Sequence, residues 1–300
     1  MAVKYRNGNY NVYFDLDTGT KIRINDEDYF APDFPESMDV KICNRCDRMC
    51  PQCHEQSTPN GALADLISPS FIDTLRPFTE LALGGGNVFE HPDLLQFLLK
   101  CKRKNLIPSI TVNQSHFFRN YETIKYLADN HLIYGIGISL EDPTEEFIRV
   151  VQQFPNAVIH VITGIVTMKQ LEVLKNQGLK ILILGYKTFG RGITYEALNQ
   201  AKIEYNQTAL AYMLPEMIGK GWFTNICFDN LAVKQLDVAS VIGEAWENYY
   251  MGDDGFATMY VDMVKREFAV NSTSTDRYPL KDNVTDMFEV VRKRVGPESK

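Results

Sequence analysis

The chain is poor in cysteine, with six in 300 residues, against 45% hydrophobic residues that can build a large core without crosslinks. A small disulfide-framed scaffold is therefore excluded. An excess of positive charge is also missing. Thirty-one Lys and Arg stand against 38 Asp and Glu, a net charge of −7. That balance argues against broad nucleic-acid binding through phosphate neutralisation and against attraction to an acidic membrane surface. No apolar run approaches the ~20 residues of a membrane-spanning helix. The opening stretch MAVKYRNGNYNVYF has no apolar core of a secretory signal. The expected compartment is the cytoplasm, where thiols stay reduced and clustered cysteines read as metal-binding or catalytic. A linker rich in Gly, Ser or Pro is lacking too, so no detached domain is expected.

What cysteine there is, is concentrated. CNRCDRMCPQCHE places Cys43, Cys46, Cys50 and Cys53 within eleven positions. Their surroundings follow a repeating rhythm. After an apparent hairpin (NVYFDLD, DTGT, KIRIN) and a proline break, short apolar strands alternate with amphipathic helices. The strands are MDVKI, ELALGGG, PSITVN, YGIGISLED, NAVIHVIT and LKILILGY. The helices are SPSFIDTLRPF, HPDLLQFLLKCKRKN, NYETIKYLADNH, PTEEFIRVVQQF and MKQLEVLKNQG. About six such units of roughly 30 residues imply an α/β fold with a parallel sheet, its strands near-continuous apolar runs covered on both faces. A doubly wound sheet and a barrel satisfy the pattern equally, and both place ligands at the C-terminal ends of the strands. The unusual residues cluster at those ends: the cysteines after DVKI, GGGN after ELAL, Asn113, Ser139 with Glu141, and GYKTFGRG after KILIL.

Three readings of the cysteines compete. A closed zinc site would use all four thiolates, but its two pairs normally stand a dozen or more residues apart. A ferredoxin-type cluster has different spacing, C-x2-C-x2-C-x3-C-P. The third uses Cys46, Cys50 and Cys53 alone, leaving one metal position open, the mark of a catalytic centre.

CDRMCPQC directly after the first strand, GGGNVFEHPDL after the second, TVNQ, GISLED and ILGYKTFGRG resemble in order the motifs of the radical S-adenosylmethionine enzymes. The resemblance covers Asp39 to Gly192. It implies a partial (β/α)6 TIM-like barrel with an N-terminal hairpin (1–37), a core (38–192) and an α+β C-terminal extension (193–300) packing on the barrel. It implies one [4Fe-4S] cluster on Cys46, Cys50 and Cys53, with S-adenosyl-L-methionine bound at the fourth iron. One electron from a reductant such as flavodoxin or ferredoxin would cleave that cofactor. The resulting 5′-deoxyadenosyl radical would take hydrogen from a substrate. Many proteins with this motif set modify peptides, so a peptide or protein is the preferred substrate class. A non-catalytic iron–sulfur or zinc module is the alternative.

The resemblance assigns Gly85, Gly86 and Asn87 to the methionyl amino group, with Asn87 in place of the usual acid. It assigns Gln52 to the adenine through its backbone. Asn113 and Ser139 are given to the ribose or methionyl carboxylate, joined by Glu141. Lys187 and Arg191 are expected to pair with the cofactor carboxylate or an anionic substrate. Cys43 receives no ligand role. His54 and Glu55 are expected to face the cavity, and His91 to help start a helix. His116, His131 and His160 read as structural or exposed, and Cys101 and Cys227 as core thiols. With only Cys227 beyond Gly192, a second cluster with cysteine ligands is not available. The tail is expected to cover the open side of the barrel, through the polar loops MGDDG and NSTST.

Overall fold

The computed structural model describes residues 1–295. The N-terminal segment is a three-stranded antiparallel meander rather than a hairpin: β1 (Ala2–Asn7), β2 (Tyr10–Asp15) and β3 (Lys21–Ile24), in that order. The strand overlooked in the sequence, AVKYRN, is an edge strand with charges between its apolar residues.

Ten strands form the main sheet: β4 (Ser37–Cys43), β5 (Glu80–Gly85), β6 (Ile107–Asn113), β7 (Gly135–Ser139), β8 (Ala157–Ile162), β9 (Lys180–Leu184), β10 (Asn225–Phe228), β11 (Thr258–Asp262), β12 (Glu267–Ala269) and β13 (Tyr278–Pro279). Their spatial order is β10-β9-β8-β7-β6-β5-β4-β11-β12-β13. From β4 to β10 the order is monotonic and every pair is parallel. Right-handed crossovers between strands in this order carry all connecting helices to one face, which rules out double winding. The protein is thus a mixed α/β fold built on a large parallel sheet. The tail reaches both sides of it: β10 extends β9, and β11 pairs in parallel with β4 before turning into antiparallel β12.

Side chains follow the winding. On one face Met38, Val40, Ile42, Leu81, Leu83, Ile110, Val112, Ile136, Ile138, Ile159, Val161, Ile181 and Ile183 are at most 3% exposed. They share one core with residues of α1 (Leu94–Arg103), α3 (Tyr121–Asp129), α4 (Glu145–Val151), α5 (Met168–Leu174) and α6 (Arg191–Gly219). The opposite face carries Asp39, Lys41, Ala82, Gly84, Ser109, Thr111, Asn113, Gly137, Ser139 and His160, because successive side chains alternate. The expectation of strands covered equally on both faces is corrected accordingly: one face is apolar and sealed, the other polar and largely half-buried.

Other expectations also change. SPSFIDTLRPF forms only a 3-10 turn, Ser70–Thr74, between Pro69 and Pro77. A helix not foreseen, α2 (Gln114–Arg119), starts directly after β6, with Asn113 as its cap. The α6 helix kinks at Asn199, contains Pro215, and spans the expected boundary at Gly192. DVASVIGEAWENYY breaks at Gly243 into α8 (Val238–Ile242) and α9 (Trp246–Tyr249), after α7 (Asn230–Leu236). The last described helix is α10 (Val284–Val295), with Asn283 accepting from the Thr285 amide. Among the described residues no helix is long and apolar enough to cross a membrane.

Candidate functional site

The site begins where β4 ends. Cys43 is its last residue, fully buried, with its thiol within 3.2 Å of both the amide and the carbonyl of Arg45. Cys46, Cys50 and Cys53 lie beyond it in a loop and are half-buried. Burial raises the Cys46 and Cys50 thiols, and the neighbouring thiolates raise them further: Cys53 acts on Cys46, and both Cys53 and Cys46 act on Cys50. Cys43 also feels the Cys46 charge, but it is fully buried with its thiol on the Arg45 backbone, and the three half-buried thiols left in the loop suit one shared soft metal group.

The loop is bolted from several sides. Cys46 donates its amide to Thr58 O, and Thr58 donates to Asn44 O. The glycines after β5 close the next side. Gly86 N donates to Cys43 O and Asn87 N to Arg45 O, each at 2.7 Å. A Cβ on Gly85 would lie 2.2 Å from Cys43 O, and one on Gly86 2.2 Å from Arg45 O. Only glycine allows this approach, and Gly85 also sits at φ +112°. Asn87 is buried, and its Oδ1 accepts from Phe89 N to cap a short 3-10 turn.

Arg191 differs from its expected role. Its amide donates to Cys53 O, its Nε to Cys50 O at 3.0 Å and both Nη to Ser57 O at 3.1 Å. The guanidinium fork satisfies loop carbonyls that would otherwise lack donors. Asn113 caps α2 by accepting from Ser115 N and donates to Glu141 Oε1. Glu141 also accepts from Ser115 Oγ at 2.6 Å and from Arg48 of the cysteine loop. Burial pushes the Glu141 carboxyl up, but these three donors outweigh it and hold the group below its usual range. Ser139 pairs with Asn113 on one side and His160 on the other. Gln52 is half-buried, and a Cβ on Gly192 would lie 3.6 Å from its carbonyl. Lys187 Nζ donates to Ser272 Oγ at 2.9 Å.

Around the polar face of β4 lies a charged chamber, of which sequence reasoning named His54 and Glu55 but missed Asp39, Lys41 and Asp262. Lys41 pairs with Glu55 at 2.6 Å and Asp262 at 3.3 Å, and His54 Nε2 stands 3.4 Å from Glu55. Asp39 is reached by water yet enclosed. Desolvation raises its carboxyl, Lys187 opposes, and the charges of Asp254, Asp229 and Glu55 add to the rise. The alternation M-D-V-K-I was the available signal, with Asp39 and Lys41 on one side of an otherwise apolar strand. His160 also lies on this face rather than in the outer core. Burial lowers its imidazole to about 4, and its Nδ1 has no hydrogen-bond partner. Cys227 is not a core thiol: it is exposed on β10, the end strand of the sheet. Cys101 is fully buried as expected, and His91 sits at the approach to α1, accepting from Asp93 N. The tail loops reach the chamber, since Ser272 accepts from Lys187 and the Asp254 charge acts on Asp39. A separate cavity of about 760 Å³, lined by Met1, Tyr121, Tyr134, Phe154 and Asn156, opens at the N-terminal ends of β7 and β8, away from the cysteines.

The fold is similar to that of Streptococcus suis SuiB. For SuiB bound to S-adenosylmethionine, the TM-score is 0.55 at 13% identity, covering 87% of this chain and 66% of that one. For SuiB alone the values are 0.56 and 11%, covering 97% and 86%. For SuiB bound to precursor peptide SuiA they are 0.54 and 14%, covering 86% and 65%. The chain therefore spans just under two thirds of SuiB in both of its bound structures. No protein-family model and no curated protein matches the sequence.

Proposed function

We propose that this chain is a radical S-adenosylmethionine enzyme acting on a peptide or protein. The observation that carries the reading is the division of the cysteines. Cys46, Cys50 and Cys53 lie together, half-buried, in the loop that follows β4, while Cys43 is buried at the strand end with its thiol on the Arg45 backbone. Three thiolates without a fourth suit a [4Fe-4S] cluster with one open iron. When bound, the cluster would supply one electron to S-adenosyl-L-methionine and so generate a 5′-deoxyadenosyl radical that takes hydrogen from the substrate.

On this reading the chain's own residues position and enclose the chemistry. The monotonic sheet curls into a partial barrel, supported by the contacts from Arg191 and Lys187 after β9 to the cysteine loop and the tail. Gly85 and Gly86 hold the loop against β5 and leave backbone open to the methionyl end. Asn87 braces that turn, since its Oδ1 accepts from Phe89 N, its amide donates to Arg45 O and its carbonyl accepts from Glu90 N. Ser139 and the Gln52 backbone meet the nucleoside. Asn113 and Glu141 fix that rim through Arg48 and Ser115. Lys187 offers the cation for a carboxylate. The chamber of Asp39, Lys41, Glu55 and the tail loops receives the substrate, and the binding of SuiA by SuiB supports a peptide there. The protein works in the cytoplasm with a flavodoxin- or ferredoxin-type reductant.

Anaerobic reconstitution tests the reading. About four iron and four sulfide per chain should be taken up, S-adenosylmethionine should be cleaved under dithionite, and Cys50→Ala should abolish both. Zinc uptake with no iron chromophore would instead support a non-catalytic metal module.

A further inference from the structure

One group beside the cysteine loop has no part in that reading. Asp47 follows Cys46 directly, and its carboxylate is divided between two residues of α2. His116 Nε2 lies 2.6 Å from Oδ1, and Arg119 Nη1 donates to Oδ2 at 2.8 Å. His116 and Arg119 are three apart on that helix and so share a face. His116 is 1% exposed, and a buried imidazole must find a partner. Asp47 is half-exposed, so it is the loop that comes to the helix. The Cys46 sulfur, an Asp47 oxygen and a His116 nitrogen all lie within 4.8 Å of one another. As a metal site the trio is poor, because both carboxylate oxygens are already taken.

We propose that Asp47, held between His116 and Arg119, is a positioning and tuning device for the metal group at Cys46. It ties the Cys46 end of the loop to α2, and its charge, offset by Arg119, sets how readily the bound cluster accepts an electron. The inference rests on the proposed cluster. Reduction adds one electron from a low-potential donor, dithionite in the assay, with no bond made or broken. The added negative charge is opposed by the Asp47 carboxylate a few ångströms from the sulfur and favoured by the Arg119 guanidinium beyond it.

The two variants therefore move the potential in opposite directions. Asp47→Asn keeps a hydrogen-bonding side chain and removes the opposing charge, so the midpoint potential should rise. Arg119→Gln leaves Asp47 with His116 as its one remaining partner of the pair, so the potential should fall, and Arg119→Lys should restore most of the loss. The measurement is a spectroscopically monitored redox titration of each reconstituted protein, at wild-type iron and sulfide content. Shifts in the same direction, or no shift in either variant, would overturn the tuning role. The tethering role is read on the metal-free chain: Asp47→Ala should speed hydrogen exchange of the amides at 45–49, and unchanged exchange would refute it. If the wild type takes up no iron, the cluster reading and the tuning role fail together, while the exchange result still decides the tether.

Discussion

The Arg191 guanidinium reaches two carbonyls on opposite sides of the cysteine loop, Cys50 O and Ser57 O, and its amide reaches a third, Cys53 O. A planar fork can do this and a single ammonium cannot. Arg191→Lys should therefore lose at least one carbonyl partner and about 1–3 kcal/mol, the cost of leaving such a group unsatisfied. It should also weaken iron retention, measured by chemical denaturation and by metal content after desalting. Wild-type values for both would show that the bolt is dispensable. At this scale the sequence was legible in part. The resemblance carried by CDRMCPQC separated three cysteines from Cys43, and the glycines at the end of β5 announced a close approach. Their neighbour was hidden: a Cβ on Gly86 meets the Arg45 carbonyl, a contact between segments about forty residues apart. The partners of Arg191 were hidden for the same reason, since a cation between glycines looks alike whether it meets a ligand or a backbone carbonyl.

Among the elements, β11 decides how the tail is to be understood. It pairs with β4 along its whole length, Thr258 with Ser37 through to Asp262 with Lys41. Residues beyond 250 are thus a structural part of the sheet that carries the cysteine loop. A chain cut after residue 250 would leave β4 as an unpaired edge beside an opened core, since α10 buries Val284, Met287, Phe288 and Val291 against it. Such a chain should partition into the insoluble fraction, whereas a soluble, monodisperse 1–250 protein would show that the tail is not needed for folding. The long central elements were readable because periodicity is local. α2 escaped because six residues are too few to display a period, and SPSFIDTLRPF misled because an apolar spacing between two prolines can close as a single turn.

For the molecule as a whole, the meander is fixed to the sheet through one buried carboxylate. Glu36 accepts from Tyr10 Oη at 2.5 Å and from Arg23 Nε at 2.9 Å, with Lys21 3.5 Å away. Burial pushes its carboxyl up, but the charges of Arg23 and Lys21 and the Tyr10 hydroxyl outweigh this and hold it below the usual range. A depressed carboxyl contributes stability above its unfolded pKa and loses it as pH falls through the folded value. Glu36→Gln should therefore cost about 3–5 kcal/mol near neutral pH, because Arg23 is left buried and unpaired. The gap to wild type should narrow as the pH is lowered below the ordinary glutamate value, measured by urea midpoints across an acid series. A gap independent of pH would mean that the ion pairs do not hold the meander.

The sequence by itself determined the α/β rhythm, the strand-end position of the unusual residues and the grouping of the cysteines, because each is written in neighbours a few residues apart. Tertiary structure alone decided that the sheet is wound in one direction and extended on both sides by the tail. It also decided that Asp39, Lys41 and His160 share a polar face, and that Arg191, Asp47 and His116 secure the loop. Those facts depend on strand order and on contacts between distant segments, which no local pattern of residue types encodes.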